Sequence, residues 1–265
     1  KLKTRFHKDL PSNKVIFSKT ALLYSTISRI LKRIRIYNHF EEMHDLAIAR
    51  KANMIALKND CHIISYSTYA TRSFKDLKNK KILFQMHPYV EFVRDKLKKE
   101  FIKNPFCKSL IREYEFRIYD KTLKNLREEP YISDFIICPS SFCSKSLPKL
   151  NKKIKKIIIP YGSRLKSTPK RNKIITQLRV LFIGSLGQRK GILYLLKIAE
   201  KLKHKNIKFT IVTRSIDDNY LYKKAKNITN IEILLDINNN ELTNILKDSH
   251  IFILPSLIEG FAHVI

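Results

Sequence analysis

No stretch of the 265 residues approaches the roughly 20 uninterrupted apolar residues that a membrane-crossing helix requires, which excludes a transmembrane chain. The basic opening, KLKTRFHKDLPSNK, is followed by neither an apolar signal core nor a small-residue cleavage site, so no secretory leader is read there. The sequence begins at Lys1, and an earlier start is expected. Cysteine is scarce: Cys61, Cys107, Cys138 and Cys143 form no CxxC pair and have no ligand-like spacing to histidine. They read as reduced thiols of a cytosolic protein rather than a disulfide framework or a zinc site. Acidic residues are few, 23 Asp+Glu against 53 Lys+Arg, a formal net charge of +30. That balance suggests an anionic partner, whether nucleic acid, a membrane surface or a phosphorylated substrate. The 38 Lys, 37 Ile and 17 Asn all have A/T-rich codons, however, and genome composition explains the excess equally well. No repeat, low-complexity tract, RRM, zinc finger or helix-turn-helix signature is present and the charge is scattered, so a nucleic-acid-binding protein is a minor alternative. With 44% apolar and 10% aromatic residues the chain can build a substantial core.

What is present is a strand-and-helix alternation. VLFI (180–183), FTIV (209–212), IEILL (231–235) and IFIL (251–254) are near-continuous apolar runs, as strands buried on both faces should be. Between the first two, Ile192, Leu195, Leu196, Ala199 and Leu202 recur at helical spacing. Between the last two, NNNELTNILKDS offers an Asn cap and an apolar face of Leu242, Ile245 and Leu246. This pattern predicts a parallel sheet with right-handed crossovers, half of a doubly wound α/β domain. Upstream, CHIISY (61–66), KILFQM (81–86), DFIICP (134–139) and KIIIP (156–160) are further candidate strands, separated by long amphipathic stretches near 41–58 and 109–128. The polar, basic segment 161–177 suits a linker, which divides the chain into domains 1–165 and 166–265. NKKIKK (151–156) is better read as a turn before a strand than as an import signal. Residues 21–36 set Leu23, Ile27, Ile30, Leu31 and Ile34 on one helical face beside Arg29, Lys32, Arg33 and Arg35. Such a helix either docks on its own core or lies on an anionic membrane.

The chemistry concentrates at two places. FIGSLGQRKG (182–191) joins a buried strand to an amphipathic helix. Gly184 and Gly187 there allow a tight turn, and amides at the helix start can face an anion beside Arg189 and Lys190. Arg can fork onto two phosphate oxygens while Lys supplies a compact charge, a pair suited to a diphosphate. The loop matches neither the P-loop nor the dinucleotide fingerprint, and a purely structural turn is its plain alternative. ILPSLIEGFAHVI (253–265) follows the last strand, and ligands bind beyond the carboxyl ends of strands in open parallel sheets. Glu259, followed by Gly260 and Phe261, could accept hydrogen bonds from ligand hydroxyls, or be an ordinary solvated charge.

GSLGQRKG followed by LPSLIEGF resembles family 4 of the retaining glycosyltransferases. With less specificity, KKIIIPYG (155–162) resembles that family's entry to its second domain, SDFIICPSSFCSKSL (133–147) a strand-to-helix segment, and ILFQMHP (82–88) a first-domain strand ending at the cleft. The resemblance implies a GT-B fold, α/β with two Rossmann-like domains facing across a cleft. It implies transfer of a sugar from a nucleotide-diphosphate donor with retention, with no cofactor and no metal. Gly184, Ser185, Gly187, Arg189 and Lys190 would then bind the donor diphosphate, where a preorganised cation is worth on the order of 3 kcal/mol. Glu259, Gly260 and Phe261 would contact the donor sugar, and His87 matches the family's first-domain histidine near that sugar, with a surface His before Pro88 as the alternative. Lys190, Glu259 and His87 are the candidate catalytic residues.

The partner of Glu259 in the family's Glu-x7-Glu motif would fall at position 267, past Ile265, so the chain is expected to be a fragment, weak or inactive alone. Ser185 stands where many members have Arg. TRSIDD (213–218) replaces a glycine-rich turn, and Ala262 replaces the second glycine of GFG. The acceptor implied is a sugar, a lipid-linked sugar or a glycolipid, in surface polysaccharide, lipopolysaccharide or glycolipid synthesis at the cytoplasmic face of a membrane. Another GT-B sugar-phosphate enzyme is the alternative within the same fold.

Overall fold

The computed structural model describes residues 16, 18–33, 40–162 and 176–262. Among the described residues two helices come first, α1 (Lys19–Arg33) and α2 (Phe40–Lys58), followed by β1 (Ile63–Tyr66), the short α3 (Ala70–Ser73) and β2 (Lys81–Phe84). Next are α4 (Val90–Lys103), a 3-10 turn (Leu110–Arg112), α5 (Tyr114–Arg117), α6 (Asp120–Glu128), β3 (Phe135–Cys138), α7 (Ser141–Ser146) and β4 (Lys155–Ile158). The remainder is β5 (Leu178–Ile183), a 3-10 turn (Gln188–Lys190), α8 (Ile192–Lys201), β6 (Ile207–Thr213), α9 (Asn219–Lys226), β7 (Ile231–Leu235), α10 (Asn239–Asp248) and β8 (Ile251–Phe252). All eight strands among the described residues fall on the apolar runs read from the sequence. The stretch 109–128 does not form one helix, because Glu113 (φ −61°, ψ 150°) and Ile118 (φ −69°, ψ 146°) take extended backbone and break it.

The chain forms two compact units that interleave in sequence. The first comprises the residues up to Gln85 with Lys124–Ile137 and Leu150–Ile157. The second comprises Met86–Leu123, Cys138–Lys149 and the residues from Ile158 on. The boundary near 165 expected from the sequence lies outside the described residues.

One sheet runs β1-β2-β3-β4, with β1–β2 and β2–β3 parallel. In the first unit α1 packs along α2, burying Ala21 and Ala49. Leu22, Leu23 and Ile30 of α1 are exposed, so those apolar residues do not dock on a core; Ile34 and Arg35 lie outside the described residues. NKKIKK does turn, with Ile154 N donating to the Asn151 carbonyl just before β4.

A buried carboxylate organises the carboxyl end of β1. Thr68 has φ +88°, a conformation disfavoured for a β-branched residue, and its amide donates to Glu129 Oε2 at 2.9 Å. Glu129 Oε1 accepts from Ala70 N at 3.0 Å and Thr71 N at 3.4 Å. Glu129 is wholly buried, and burial pushes its carboxyl up to about 7 despite these three donors. The folded form thus holds the proton more tightly than an unfolded chain, whose carboxyl titrates near 4.3. The stabilisation from that bound proton is complete at acid pH and is lost as pH rises through about 7. Glu129→Gln should remove this pH dependence, worth at most about 4 kcal/mol, while lowering stability overall because an amide cannot accept from all three N–H groups. Urea midpoints from pH 5 to 8 test this, and equal slopes for wild type and variant would reject it.

The second sheet is parallel throughout and runs β7-β6-β5-β8. Its order reverses between β5 and β8, which makes the carboxyl ends of those two strands its topological switch point. Val180, Phe182, Ile211, Leu195 and Leu196 fill the core, joined by Val93 and Leu97 of α4, whose partner surface the sequence pattern did not reveal. Asp218 caps α9, accepting from Tyr220 N and Leu221 N, and Asn238 with Glu241 forms a capping box on α10, the Asn cap anticipated from NNNEL.

Candidate active site

After β5 the chain passes through Gly184–Gly187 into the 3-10 turn and then α8. Sequence reasoning puts the turn on Gly184 and Gly187, but the conformational demand falls on Gly191. Gly187 has extended backbone (φ −143°, ψ 160°), open to any residue, whereas Gly191 is left-handed at φ +72°. A Cβ on Gly191 would lie 1.9 Å from the Pro255 carbonyl oxygen, so this loop and the segment after β8 touch backbone to backbone. Leu257 N also donates to the Arg189 carbonyl at 2.9 Å. Gly184 and Gly187 matter for space: an added Cβ would come 3.1 Å from the Phe182 ring and 3.1 Å from Asp217 Cβ, respectively.

Most of the loop amides are already engaged within the protein. Those of Gly184, Leu186, Gly187, Gln188, Lys190 and Gly191 donate to Val212 O, Ser215 O, Ser185 O, Ser109 Oγ, Gly187 O and Gln188 O. Leu186 O in turn accepts from Asp217 N and Asp218 N, so the TRSIDD loop braces the turn. Recognition of an anion here therefore rests mainly on side chains.

Lys190 supplies one. Its Nζ lies 2.5 Å from Glu259 Oε1, each side chain about a quarter exposed at 28% and 27%. The two charges reach solvent together at the switch point, one from the end of β5 and the other from beyond β8. Gly260 is fixed by a second close approach, since a Cβ there would sit 2.3 Å from the Met86 carbonyl oxygen and 3.2 Å from His87 Cα. Ser140 Oγ donates to Gly260 O at 2.6 Å, Cys143 Sγ donates to His87 O at 3.2 Å, and Phe261 meets the Tyr161 ring edge-on at 5.3 Å. These residues all belong to the second unit.

His87 stays open to solvent on one side, but its pKa falls below the usual histidine value. Desolvation is the main cause and Arg189 adds to it, while Glu115 and Glu259 oppose. Near pH 7 the ring is therefore neutral, able to donate or accept a hydrogen bond.

Arg189 behaves differently from its neighbour. Its Nη1 lies 3.0 Å from Glu113 Oε2 and 3.0 and 2.9 Å from the two carboxylate oxygens of Glu115. Burial works against the guanidinium charge, yet these carboxylates outweigh it and raise the Arg189 pKa further. Burial pushes the Glu113 carboxyl above its ordinary range against the pull of Arg189. Gln188, fully buried, donates to Glu100 Oε1 at 2.7 Å and accepts from Leu193 N at 2.9 Å. Glu100 also accepts from Asn104 Nδ2 and Tyr194 OH, and Asp218 Oδ2 accepts from Ser109 N. Glu100, Glu113 and Glu115 were not singled out in the sequence, where each is an ordinary charge on an amphipathic stretch.

The four cysteines are free, Cys61 exposed and the others buried. Among the described residues no three His, Cys, Asp or Glu gather as metal ligands would, and no helix is long and apolar enough to cross a membrane.

Residues 163–265 match the family model of the glycosyl transferases group 1. That stretch contains the loop, the switch-point strands and Glu259. No curated protein matches the chain. Among solved structures, trehalose-6-phosphate synthase OtsA is similar at 13% identity over 94% of this chain and 66% of its own, with a TM-score of 0.53. TarM is similar at 17% identity over 81% of this chain and 40% of its own, TM-score 0.53. An alpha,alpha-trehalose-phosphate synthase (UDP-forming) from Burkholderia vietnamiensis is similar at 13% identity over 86% and 59%, TM-score 0.51. The chain thus spans less than two thirds of these proteins' lengths. At such identities the likeness establishes the fold, α/β of the GT-B kind with two parallel four-stranded sheets.

Proposed function

We propose that this chain acts as a retaining glycosyltransferase of family 4, moving a sugar from a nucleotide-diphosphate donor to an acceptor. The observation that carries the reading is the Lys190–Glu259 pair at the switch point between β5 and β8. A diphosphate placed there meets Lys190, which stabilises the charge that develops as the glycosidic bond breaks. Glu259 is then released to the hydroxyls of the donor sugar, with Gly260 and Phe261 shaping the backbone around it. His87, neutral at pH 7, offers a hydrogen bond to the same sugar. Ser185 and the small Gly184 and Gly187 complete the phosphate side. Lys190 supplies the cation at the diphosphate, so the reading has no metal and no cofactor.

Calorimetric titration with UDP, GDP and ADP tests it, UDP first because one structural neighbour is named as UDP-forming. One nucleotide is expected to bind; failure of all three would reject the donor site.

The acceptor proposed is a lipid-linked sugar or glycolipid at the cytoplasmic membrane face, in surface polysaccharide, lipopolysaccharide or glycolipid synthesis. Its support is α1, which exposes Leu22 (46%), Leu23 (57%) and Ile30 (56%) beside exposed Lys19 and Arg29. Co-sedimentation should be stronger with vesicles containing anionic lipid than with neutral ones, and Leu23→Glu/Ile30→Glu should abolish the difference. Equal sedimentation with both vesicle types would remove the membrane from the proposal.

A further inference from the structure

Arg189 and Lys190 are neighbours in sequence, but their side chains serve different groups. Lys190 meets Glu259 and solvent, whereas Arg189 places one guanidinium nitrogen against three carboxylate oxygens of Glu113 and Glu115. These side chains are largely covered, with exposures of 20% for Arg189, 20% for Glu113 and 10% for Glu115. Two carboxylates around one guanidinium leave a local net charge of −1, which repels a phosphate rather than attracting it. For Arg189 to bind a diphosphate it would have to leave both carboxylates uncompensated in a poorly solvated site, a severe penalty.

The segment that holds Arg189 is itself anchored. Arg94 Nη1 donates to the Glu115 carbonyl at 2.5 Å and lies over the Phe116 ring. Ser109 bridges Asp218 and Gln188, and Glu100 takes the Gln188 side chain. The Arg189 carbonyl also accepts from Leu257 N. One residue therefore ties three stretches together: 113–115 through its side chain, 257 through its backbone and Lys190 through the chain itself.

We propose that Arg189 is a positioning residue, a clasp that fixes the glycine loop to the Glu113–Glu115 segment and holds Lys190 in register with Glu259, leaving Lys190 as the cation that meets the donor diphosphate. The second half of this rests on the donor-site reading above; the clasp itself does not.

Hydrogen exchange on the ligand-free protein, paired with nucleotide titration, separates the two. Arg189→Gln and the double change Glu113→Gln/Glu115→Gln should each speed exchange of the amides from Leu186 to Gly191 and at Leu257 by about tenfold or more, with no further gain on combining them. Arg189→Lys should partly restore protection, which a packing role alone would not do. The nucleotide that wild type prefers among UDP, GDP and ADP should bind more weakly to both variants, about tenfold, because the loop is misplaced. Two outcomes overturn the clasp: unchanged loop exchange in Arg189→Gln, or tighter nucleotide binding by the double variant that Arg189→Gln then cancels, since this marks Arg189 as a phosphate ligand held back by the carboxylates. If the double variant does not fold, Glu115→Gln alone takes its place, because Glu115 contributes two of the three oxygens. Wild type that binds none of the nucleotides rejects the donor site, while the exchange data still decide the clasp.

Discussion

Replacing Lys190 by alanine is expected to weaken binding of the donor nucleoside diphosphate by about ten- to a hundredfold, the loss typical of a charge-assisted hydrogen bond, while the fold survives. The Nζ–Oε1 contact of 2.5 Å joins two side chains that both reach solvent, and partly exposed ion pairs contribute only about 0–1 kcal/mol to stability. Recognition of a diphosphate loses more, because six of the loop amides already donate within the protein and cannot take over from the missing ammonium. Affinity for the bare nucleoside should be unchanged, since Lys190 is assigned to phosphate and not to base or ribose. Lys203→Ala is a suitable control, as Lys203 pairs with Glu200 on the surface at the end of α8. Calorimetric titration of both variants with the nucleotide and its nucleoside decides the matter. Equal affinities of wild type and Lys190→Ala for the diphosphate would leave the proposed donor site without its cation.

The larger effect on stability is expected at Gly191. Alanine there must adopt a left-handed backbone, at roughly 1–2 kcal/mol, with its Cβ 1.9 Å from the Pro255 carbonyl oxygen. No side-chain rotation relieves a clash between a Cβ and backbone, so either the 3-10 turn or the Pro255–Glu259 segment must move. A total loss of about 3 kcal/mol or more follows, which for a chain of this size lowers Tm by about 6–12 °C. Gly162→Ala is the matched control, since a Cβ there meets nothing within 4 Å and Tm should stay within about 1 °C. Thermal unfolding of the two variants side by side measures this; similar midpoints would mean the contact between the two segments is loose in solution.

The elements legible in the sequence are those whose signal is local. A strand buried on both faces leaves an apolar run whatever lies beside it, and all eight runs became strands, including the two-residue β8. The Asn cap of α10 is equally local, because donor and acceptor are neighbours along the chain. Lys190 and Glu259 could be singled out because each sits in a short motif at a strand end. Pairing is not local, and there the sequence was silent or misleading. Nothing near Arg189 indicates that its charge is taken up by Glu113 and Glu115, and nothing in VEFVRDKLKKEFIK shows that Glu100 is buried against Gln188. The glycine that mattered most in the loop was the last one, because the Pro255 carbonyl, which leaves no room for a Cβ there, lies beyond another strand end. The amphipathic face of α1 could be read, but not what it meets, and the structure leaves several of its apolar residues in water.

The wide spacing of the loop's partners also orders events during synthesis. Glu100 leaves the ribosome 88 residues before Gln188 and 94 before Tyr194, and the two carboxylates that will hold Arg189 precede it by 76 and 74 residues. At about 5–20 residues per second, the nascent chain carries these acids for several seconds with their later partners still unmade. The helix that bears Glu100 cannot settle into its final place in that interval, because most of the core that takes up Val93 and Leu97, from Val180 onward, has yet to be made. Translation thus imposes a sequence on folding: the acidic segment waits, β5 and α8 arrive, and the loop takes shape only once Pro255 has emerged to meet Gly191.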